Sequence, residues 1–183
     1  TKGDPSYPVG SSDDVNPGNI SVMMSGGELL ALWEAGSPYR IDPVTLETKG
    51  LKVWRDDLKG MPFLAHPKRE PDGRVWSLAM SGRRVGIYNI NPDGSTAGFG
   101  MVDIGAAHYI HDWTMTERKL VILCQPWIQT RNIPPFIDGF QWKPEQGMKF
   151  LIVDKDDLKK TRWAQGPARA FYPICGKAHV YFV

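Results

Sequence analysis

The sequence predicts an all-β protein, and three observations support that prediction. Runs of about five to seven residues, rich in β-branched and aromatic side chains, recur along the chain and have the usual length of strands. Turn residues such as Gly, Pro, Asn and Asp separate these runs at intervals of about eight to twelve positions. The one helical candidate, Lys155 to Lys160, is too short to form a stable helix. Hairpins that recur about every forty to fifty residues favour a β-propeller over a β-sandwich.

The first half of the chain opens with a hairpin signal. Two strand-like runs, Asn19 to Met24 and Glu28 to Glu34, flank Ser25-Gly26-Gly27. Within the second run, Leu29 to Trp33 is continuously apolar, which predicts a strand covered on both faces. Further segments are expected at Tyr39 to Asp42, at Leu46 to Thr48 after a turn at Pro43, and from Lys52 to Trp54.

The second half continues the same alternation of strands and turns. Strands are predicted at Arg74 to Met80 and Arg84 to Asn89, around a turn at Ser81-Gly82. The region from Phe136 to Phe140 is expected to be irregular. Later strands are expected at Gly100 to Ile104, Leu120 to Leu123 and Met148 to Val153.

Composition and charge are those of a soluble globular protein. Of the 183 residues, 42% are hydrophobic and 23% are charged, which is enough for one core. The net charge is +2 with dispersed basic residues, which argues against a nucleic-acid partner. Cys124 and Cys175 lack metal or disulfide spacing, as expected in a reducing compartment, and we therefore expect a cytoplasmic protein. No apolar run approaches the roughly 20 residues that span a bilayer.

The two ends of the chain suggest a partial domain. Residues 1–18 are rich in Pro, Gly, Ser and Asp and predict an irregular lead-in. The chain begins at Thr1 without a methionine or a signal-peptide pattern, and it ends at Tyr181-Phe182-Val183 within a strand pattern. We therefore expect residues 1–183 to form a single partial β-propeller domain cut from a larger protein.

Histidines are the strongest sign of chemistry in the sequence. His66 and His111 each lie between apolar or aromatic neighbours, where an unpaired imidazole is costly to bury. Imidazole ligands suit Fe, Zn, Cu or Ni, so the pair suggests a metal site, although a hydrogen-bonded core histidine is the common alternative. His108 lies three residues before His111 in a β context, where such positions face opposite sides. We therefore expect only one of those two to be a ligand and His108 to be a loop histidine.

Glu34 follows a buried-looking strand, and a carboxylate in such a place must be paired. It is either an acid that caps a turn or an acceptor for the N–H of a metal-bound imidazole. Asp112 beside His111 is expected to be satisfied by backbone N–H groups. A nucleophile elbow, a phosphate-binding loop and a dinucleotide fingerprint are all absent from the sequence.

Several motifs together resemble the carotenoid cleavage oxygenases. Glu28-Leu29-Leu30-Ala31-Leu32-Trp33-Glu34-Ala35-Gly36-Ser37-Pro38-Tyr39 resembles the first blades of that family. Ala65-His66-Pro67-Lys68 resembles its first iron-ligand motif, and Ile110-His111-Asp112-Trp113-Thr114-Met115-Thr116 resembles its second. Gln141-Trp142-Lys143-Pro144-Glu145, followed by Gly147, resembles a later stretch. The match runs from about Asn19 to Trp163.

The resemblance implies part of a seven-bladed β-propeller, roughly its first three blades, around an Fe(II) ion held by four histidines. It implies that O₂ takes an open iron position and that a conjugated alkene is cleaved into two carbonyl products. On this resemblance His66 and His111 are iron ligands, and Glu34 accepts the N–H of a bound imidazole, that of His111. The other two glutamates of the family and its fourth histidine would lie beyond Val183.

The sequence also departs from the family pattern. The family's third histidine is missing from Phe171-Tyr172-Pro173-Ile174-Cys175, and His179 is the nearest candidate. In the stilbene-cleaving branch a lysine precedes the glutamate, whereas this chain has Trp33, which favours an apocarotenoid-like polyene. The alternatives are a stilbene-type substrate, or a degenerate homologue that only binds. The resemblance further implies peripheral membrane contact of the full-length protein, although no amphipathic helix is present in the sequence to carry it.

Overall fold

The computed structural model describes residues 11–133 and 135–166, together with the backbone of two short strands at Ile174–Cys175 and Val180–Tyr181. Strands dominate this part of the chain, and its helices are all short 3-10 turns. These are Ser12–Val15, Asp56–Leu58, Phe136–Gly139 and Pro144–Gln146. Among the described residues, no helix has the length and apolar character needed to cross a bilayer.

The strands form three four-stranded sheets and two two-stranded ones. The first sheet has the order β1-β2-β3-β4 and the second β5-β6-β7-β8, so their neighbours are consecutive in the sequence. Their bounds are β1 Ser21–Ser25, β2 Glu28–Leu32, β3 Tyr39–Ile41, β4 Thr48–Leu51, β5 Lys68–Arg69, β6 Val75–Ser81, β7 Arg84–Ile90 and β8 Thr96–Asp103.

In the third sheet, two neighbouring strands are separated in the sequence by a small side sheet. The order of the third sheet is β14-β13-β10-β9, while β11 and β12, which lie between β10 and β13 in the sequence, form a separate two-stranded sheet. The bounds are β9 Trp113–Met115, β10 Lys119–Cys124, β11 Trp127–Gln129, β12 Phe140–Trp142, β13 Lys149–Asp154 and β14 Thr161–Gln165. A last pair, β15 and β16, joins Ile174–Cys175 to Val180–Tyr181.

The all-β prediction is confirmed, and so is the first hairpin. Ser25 pairs with Glu28 across a two-residue turn in which Gly26 and Gly27 have φ of +56° and +80°. Two successive positive φ angles are the requirement of a type I′ turn, whose twist matches that of the flanking strands. The two glycines therefore set the register of β1 and β2.

Two local predictions are corrected by the structure. The apolar run Leu29 to Trp33 is not covered on both faces, because Leu30 and Leu32 are fully buried while Leu29 and Ala31 are only half-buried. Only one face of this sheet packs on the core, so the pattern of burial alternates along the strand. Lys52 to Trp54 is not a strand. Trp54 instead turns into the core, where its ring stacks on Phe63 at 4.8 Å.

Residues 11–81 and 86–100 form one compact unit with its own apolar core. Four aromatic rings pack together in it: Trp54, Phe63 and Tyr88 contact one another, and Phe99 meets Tyr88 edge-on. Around these rings pack the buried side chains of Leu30, Leu32, Leu58, Ala65, Val75, Ala79 and Ile90.

Residues 82–85 and the described residues from 101 onward form the second unit. Its third sheet buries one face of β10 and β13 completely, with Leu120, Ile122, Leu151 and Val153 at 0% exposure. Trp113, at the start of β9, is also fully buried. This core holds the segment that precedes β9, in which His111 lies.

The β1–β2 turn provides a test of the fold. A Cβ atom on Gly26 would lie 2.3 Å from the backbone oxygen of Asp93, whereas one on Gly27 would have no atom within 4 Å. Both residues have positive φ, so alanine at either position costs about 1–2 kcal/mol of conformational strain. We expect Gly26→Ala to lower the free energy of unfolding by a further ~1–3 kcal/mol, because a backbone clash cannot relax cheaply. Urea unfolding of both variants measures the difference, and equal values would contradict the clash.

Candidate metal centre

His66 lies in the loop that leads into β5, and the residues before it are anchored in the core. Phe63, Leu64 and Ala65 are 0%, 0% and 1% exposed. The N–H of Leu64 donates to the carbonyl of Leu78 at 2.8 Å, and the hydroxyl of Ser77 donates to the carbonyl of Leu64 at 3.2 Å. The hydroxyl of Ser21 donates to the carbonyl of Ala65. His66 therefore follows a rigid segment.

The imidazole of His66 lies at the edge of this core. The residue as a whole is half-buried, but its Nε2 atom is fully buried. His66 also lines a cavity of about 260 Å³ within the first unit. Among the other lining residues are Ser21, Met23, Ala65, Lys68 and Val75.

Glu34 lies in the turn that follows β2 and is only 8% exposed. Hydrogen bonds to Gly36 and Ser37 fix this turn. The N–H of Phe63 donates to the carbonyl of Gly36 at 3.0 Å. The N–H and hydroxyl of Ser37 donate to the two carboxylate oxygens of Asp13 at 2.6 and 2.7 Å. A buried carboxylate held on a rigid turn is suited to accept hydrogen bonds from a fixed partner.

Glu34 and His66 are brought together although 31 residues separate them in the sequence. A carboxylate oxygen of Glu34 and a ring nitrogen of His66 lie within 4.8 Å of each other. An imidazole and a carboxylate at this separation are a donor set that first-row metals such as iron accept, either as two ligands or as a ligand and its hydrogen-bond acceptor. The residues present therefore fit the metal that the sequence implies.

His111 belongs to the second unit and lies just before β9. It is half-buried between Ile110 and Asp112, which are 0% and 5% exposed. The carboxylate of Asp112 accepts the N–H of Trp113 at 2.8 Å, which agrees with the expectation of a loop acid satisfied by the backbone. The ring of His111 lies nearly parallel to that of Tyr109, with 9° between the planes and 6.4 Å between the centroids.

His108 is a hydrogen-bonded interior histidine, whereas the sequence predicted an exposed or hydrogen-bonded loop residue. It is 4% exposed, and its Nδ1 atom lies 2.7 Å from the carbonyl oxygen of Gln125. Because a carbonyl can only accept, Nδ1 carries the hydrogen in this contact. Burial lowers the pKa of His108, while the bond to Gln125 opposes this effect and the nearby charge of Lys149 adds to it. The neutral ring is thus the favoured form.

A buried cysteine and the third candidate ligand complete the set of residues with metal-binding chemistry. Cys124 is buried at the end of β10, and burial raises the pKa of its thiol to about 12, so it is protonated at neutral pH and unsuited to bind a metal. His179 lies outside the described residues.

Sequence reasoning missed Asp13, which holds the Glu34 turn through Ser37. Residues 1–18 were expected to be an irregular lead-in, yet Ser12–Val15 form a 3-10 helix. Asn16, at its end, donates to the carbonyl of Ser37 at 2.7 Å. The Ser and Asp residues around Asp13 signal a helix start, but nothing in the sequence indicates the distant partner.

The lowered pKa of His108 predicts a pH-dependent stability. Near the ordinary value of 6.5 the unfolded chain binds a proton that the folded chain does not. The free energy of unfolding therefore falls as the pH drops through 6.5, and continues to fall until the folded-state pKa is reached, by up to about 1.4 kcal/mol per pH unit. We expect His108→Asn to remove this component. Urea unfolding of both proteins in metal-free buffer between neutral and mildly acidic pH measures it, and parallel pH profiles would contradict it.

The sequence was compared with known families and proteins. Residues 3–175 match the family model of the retinal pigment epithelial membrane protein. Resveratrol cleavage oxygenase 1 of Aspergillus fumigatus is 30% identical over 158 residues, which cover 80% of this chain and 31% of that protein. Carotenoid cleavage oxygenase 1 of Neurospora crassa is 30% identical over 158 residues, covering 81% and 30%. The Synechocystis apocarotenoid-15,15'-oxygenase is 28% identical over 163 residues, covering 77% and 32%.

Solved structures show the same fold. The lignostilbene dioxygenase of Pseudomonas brassicacearum matches with a TM-score of 0.74 and 28% identity, over 83% of this chain and 33% of that one. A variant of the Synechocystis apocarotenoid oxygenase, at 20% identity, matches in fold with a TM-score of 0.73 over 86% and 36%. These are β-propeller oxygenases, so the predicted fold class is confirmed. The chain spans about a third of the length of these relatives. It belongs to the retinal pigment epithelial membrane protein family, the carotenoid cleavage oxygenases that its motifs resemble.

Proposed function

We propose that the protein is a non-haem Fe(II) dioxygenase that cleaves a conjugated C=C bond of a carotenoid- or apocarotenoid-like substrate. The products are two carbonyl compounds. The observation that carries the proposal is the pair of buried Glu34 and half-buried His66, whose ligand atoms lie within 4.8 Å of each other. Family membership supports the same activity, because matched relatives are named as oxygenases of carotenoid, apocarotenoid and stilbene compounds.

In this proposal His66 and His111 hold the iron as neutral imidazoles, and Glu34 accepts the N–H of an iron-bound imidazole. Such an acceptor sets the tautomer and the direction of the ring and raises its basicity as a ligand. The rigid segment before His66 and the bonded turn at Glu34 support these roles, because hydrogen bonds and core packing fix the backbone that carries both groups. His179 remains the candidate third ligand.

The chemistry balances without a further reductant. Fe(II) in this site supplies the one-electron steps that O₂ needs in order to react with a closed-shell alkene. Both bonds of the alkene break, and each carbon receives one oxygen atom of the same O₂ molecule. The low exposure of Glu34, at 8%, limits the access of bulk water to its carboxylate.

A stilbene-type substrate is the second candidate. It is favoured by the names of two matched proteins, the Aspergillus fumigatus resveratrol cleavage oxygenase and the Pseudomonas lignostilbene dioxygenase. Trp33, half-buried before Glu34, favours the polyene, because it cannot supply the cationic donor that a lysine would offer to a phenol. The two candidate substrates share one site and one reaction, and they differ only in the groups attached to the cleaved double bond.

The function is tested with purified full-length protein loaded with Fe(II) under ¹⁸O₂. We expect an apocarotenal to be cleaved faster than resveratrol, with one labelled oxygen atom in each product. We expect His66→Ala and His111→Ala each to abolish stoichiometric iron, because water replaces a lost imidazole poorly. Product mass spectrometry and metal analysis provide the measurements.

Faster cleavage of resveratrol would assign the stilbene-type substrate instead. A wild-type protein that binds no iron and cleaves neither compound would identify a degenerate homologue that only binds. Full iron occupancy in either histidine variant would overturn the ligand assignment. Lys59→Ala, an exposed change in the first unit, is the control for handling and metal loading.

Glu34→Gln tests the role of the carboxylate. Glutamine is nearly isosteric, so packing is retained, but the negative charge that supports the imidazole is lost. We expect the fold to be kept and iron affinity or turnover to fall by about 10–100-fold. Glu47→Gln, on the exposed β3–β4 turn, is the matched control and should change neither quantity. Unchanged iron affinity and turnover in Glu34→Gln would make Glu34 a turn acid only.

A further inference from the structure

The backbone before His111 is paired with the segment that enters the side sheet. The N–H of Tyr109 donates to the carbonyl of Trp127 and that of Gln129 to the carbonyl of Ala107, both at 2.8 Å. His108 forms an antiparallel bridge with Ile128. The segment therefore pairs like a short strand, which is one of the two conformations, loop or strand, that the sequence predicts there.

The side chain of His108 adds a buried bond to this ladder. Its Nδ1–H donates to the carbonyl of Gln125, and both residues are nearly inaccessible, at 4% and 1% exposure. A buried hydrogen bond is costly to lose, because the partner left behind is cut off from water. The bond thus connects the His111 segment to the end of β10 independently of the backbone ladder.

The ring of Tyr109 links this hydrogen-bonded segment to the imidazole of His111. Its ring packs on Trp127 at 5.0 Å and meets Phe140 edge-on at 5.6 Å, with 85° between the planes. The ring of Tyr109 is in turn nearly parallel to the imidazole of His111, at 9°. With 6.4 Å between their centroids, the two rings lie on the same side of the segment. The His111 ring therefore lies beside the ring of Tyr109, whose position is fixed by its packing on Trp127 and Phe140.

We propose that His108 is a positioning residue for His111, acting through its bond to Gln125 and the packed ring of Tyr109. The inference rests on the proposed function, in which His111 binds the metal. His108 itself does not touch the metal or the substrate. Its role is to keep the segment 107–111 in one register on β11, so that the imidazole of His111 has one orientation.

Two substitutions at His108 distinguish the effect of its hydrogen bond to Gln125 from the effect of its side-chain volume. In His108→Asn the amide nitrogen takes nearly the place of Nδ1 and can donate, whereas His108→Leu keeps apolar bulk and removes the donor. Val153→Ala, a fully buried change in β13 of the same unit, is the control for general loss of stability. Co(II) is the probe, because its visible absorption spectrum reports ligand number and geometry without any need for turnover.

We expect His108→Leu to weaken Co(II) affinity by about tenfold, the lower end of the loss seen when ligand-orienting partners are removed, and to shift the spectrum. His108→Asn should restore both the affinity and the spectrum, and Val153→Ala should leave them unchanged. A wild-type affinity and spectrum in His108→Leu would overturn the proposal, as would equal changes in Val153→Ala. If His108→Leu does not fold, Tyr109→Leu decides, because it should shift the spectrum while keeping the bond to Gln125. An unshifted spectrum would again overturn the proposal.

His111→Ala separates this inference from the function on which it rests. If His111→Ala binds Co(II) as tightly as the wild type, the assignment of His111 as a ligand fails, and the role of His108 fails with it. If His111→Ala loses the metal while His108→Leu keeps the wild-type affinity and spectrum, only the positioning role fails.

Discussion

The burial of the three residues before His66 determines where that histidine lies. Phe63 and Leu64 are fully buried and Ala65 nearly so, and each large side chain contributes about 1.5–3 kcal/mol to stability by leaving water. The bonds of Leu64 to Leu78 and Ser77 prevent the segment from sliding along the core. A loop histidine would sample many positions, whereas this one is placed by the same packing that stabilises the first unit. Glu34 lies near His66 because the turn that carries Glu34 is hydrogen-bonded, through the carbonyl of Gly36, to the N–H of Phe63.

Most of the fold could be predicted from local sequence signals. The β1–β2 hairpin depends on two adjacent glycines, and β10 contains the continuous apolar run Leu120 to Cys124. The side sheet of β11 and β12 was missed, because its strands have three residues each and a long irregular connection separates them. Strand β14 was missed because all five of its residues are exposed, so no alternation of burial marks it. The faces of β2 were misjudged because apolar residues are tolerated on a half-covered face.

The site was less accessible to sequence reasoning than the fold. Apolar neighbours in the sequence could suggest that His66 and Glu34 are unusual residues, but only the folded chain brings them together. Their roles in iron binding came from the family resemblance and remain proposals. The bond between His108 and Gln125 could not be predicted either, because a histidine in an apparent loop gives no sign of its acceptor. Asp13 illustrates the same limit, since its partner Ser37 is set by tertiary packing.

Iron K-edge X-ray absorption spectroscopy of the full-length protein loaded with Fe(II) tests the central claim most directly. The account predicts a first coordination sphere of nitrogen and oxygen atoms with the multiple-scattering pattern of several imidazole rings. A spectrum with sulfur scatterers, or one in which oxygen ligands alone surround the iron, would contradict it.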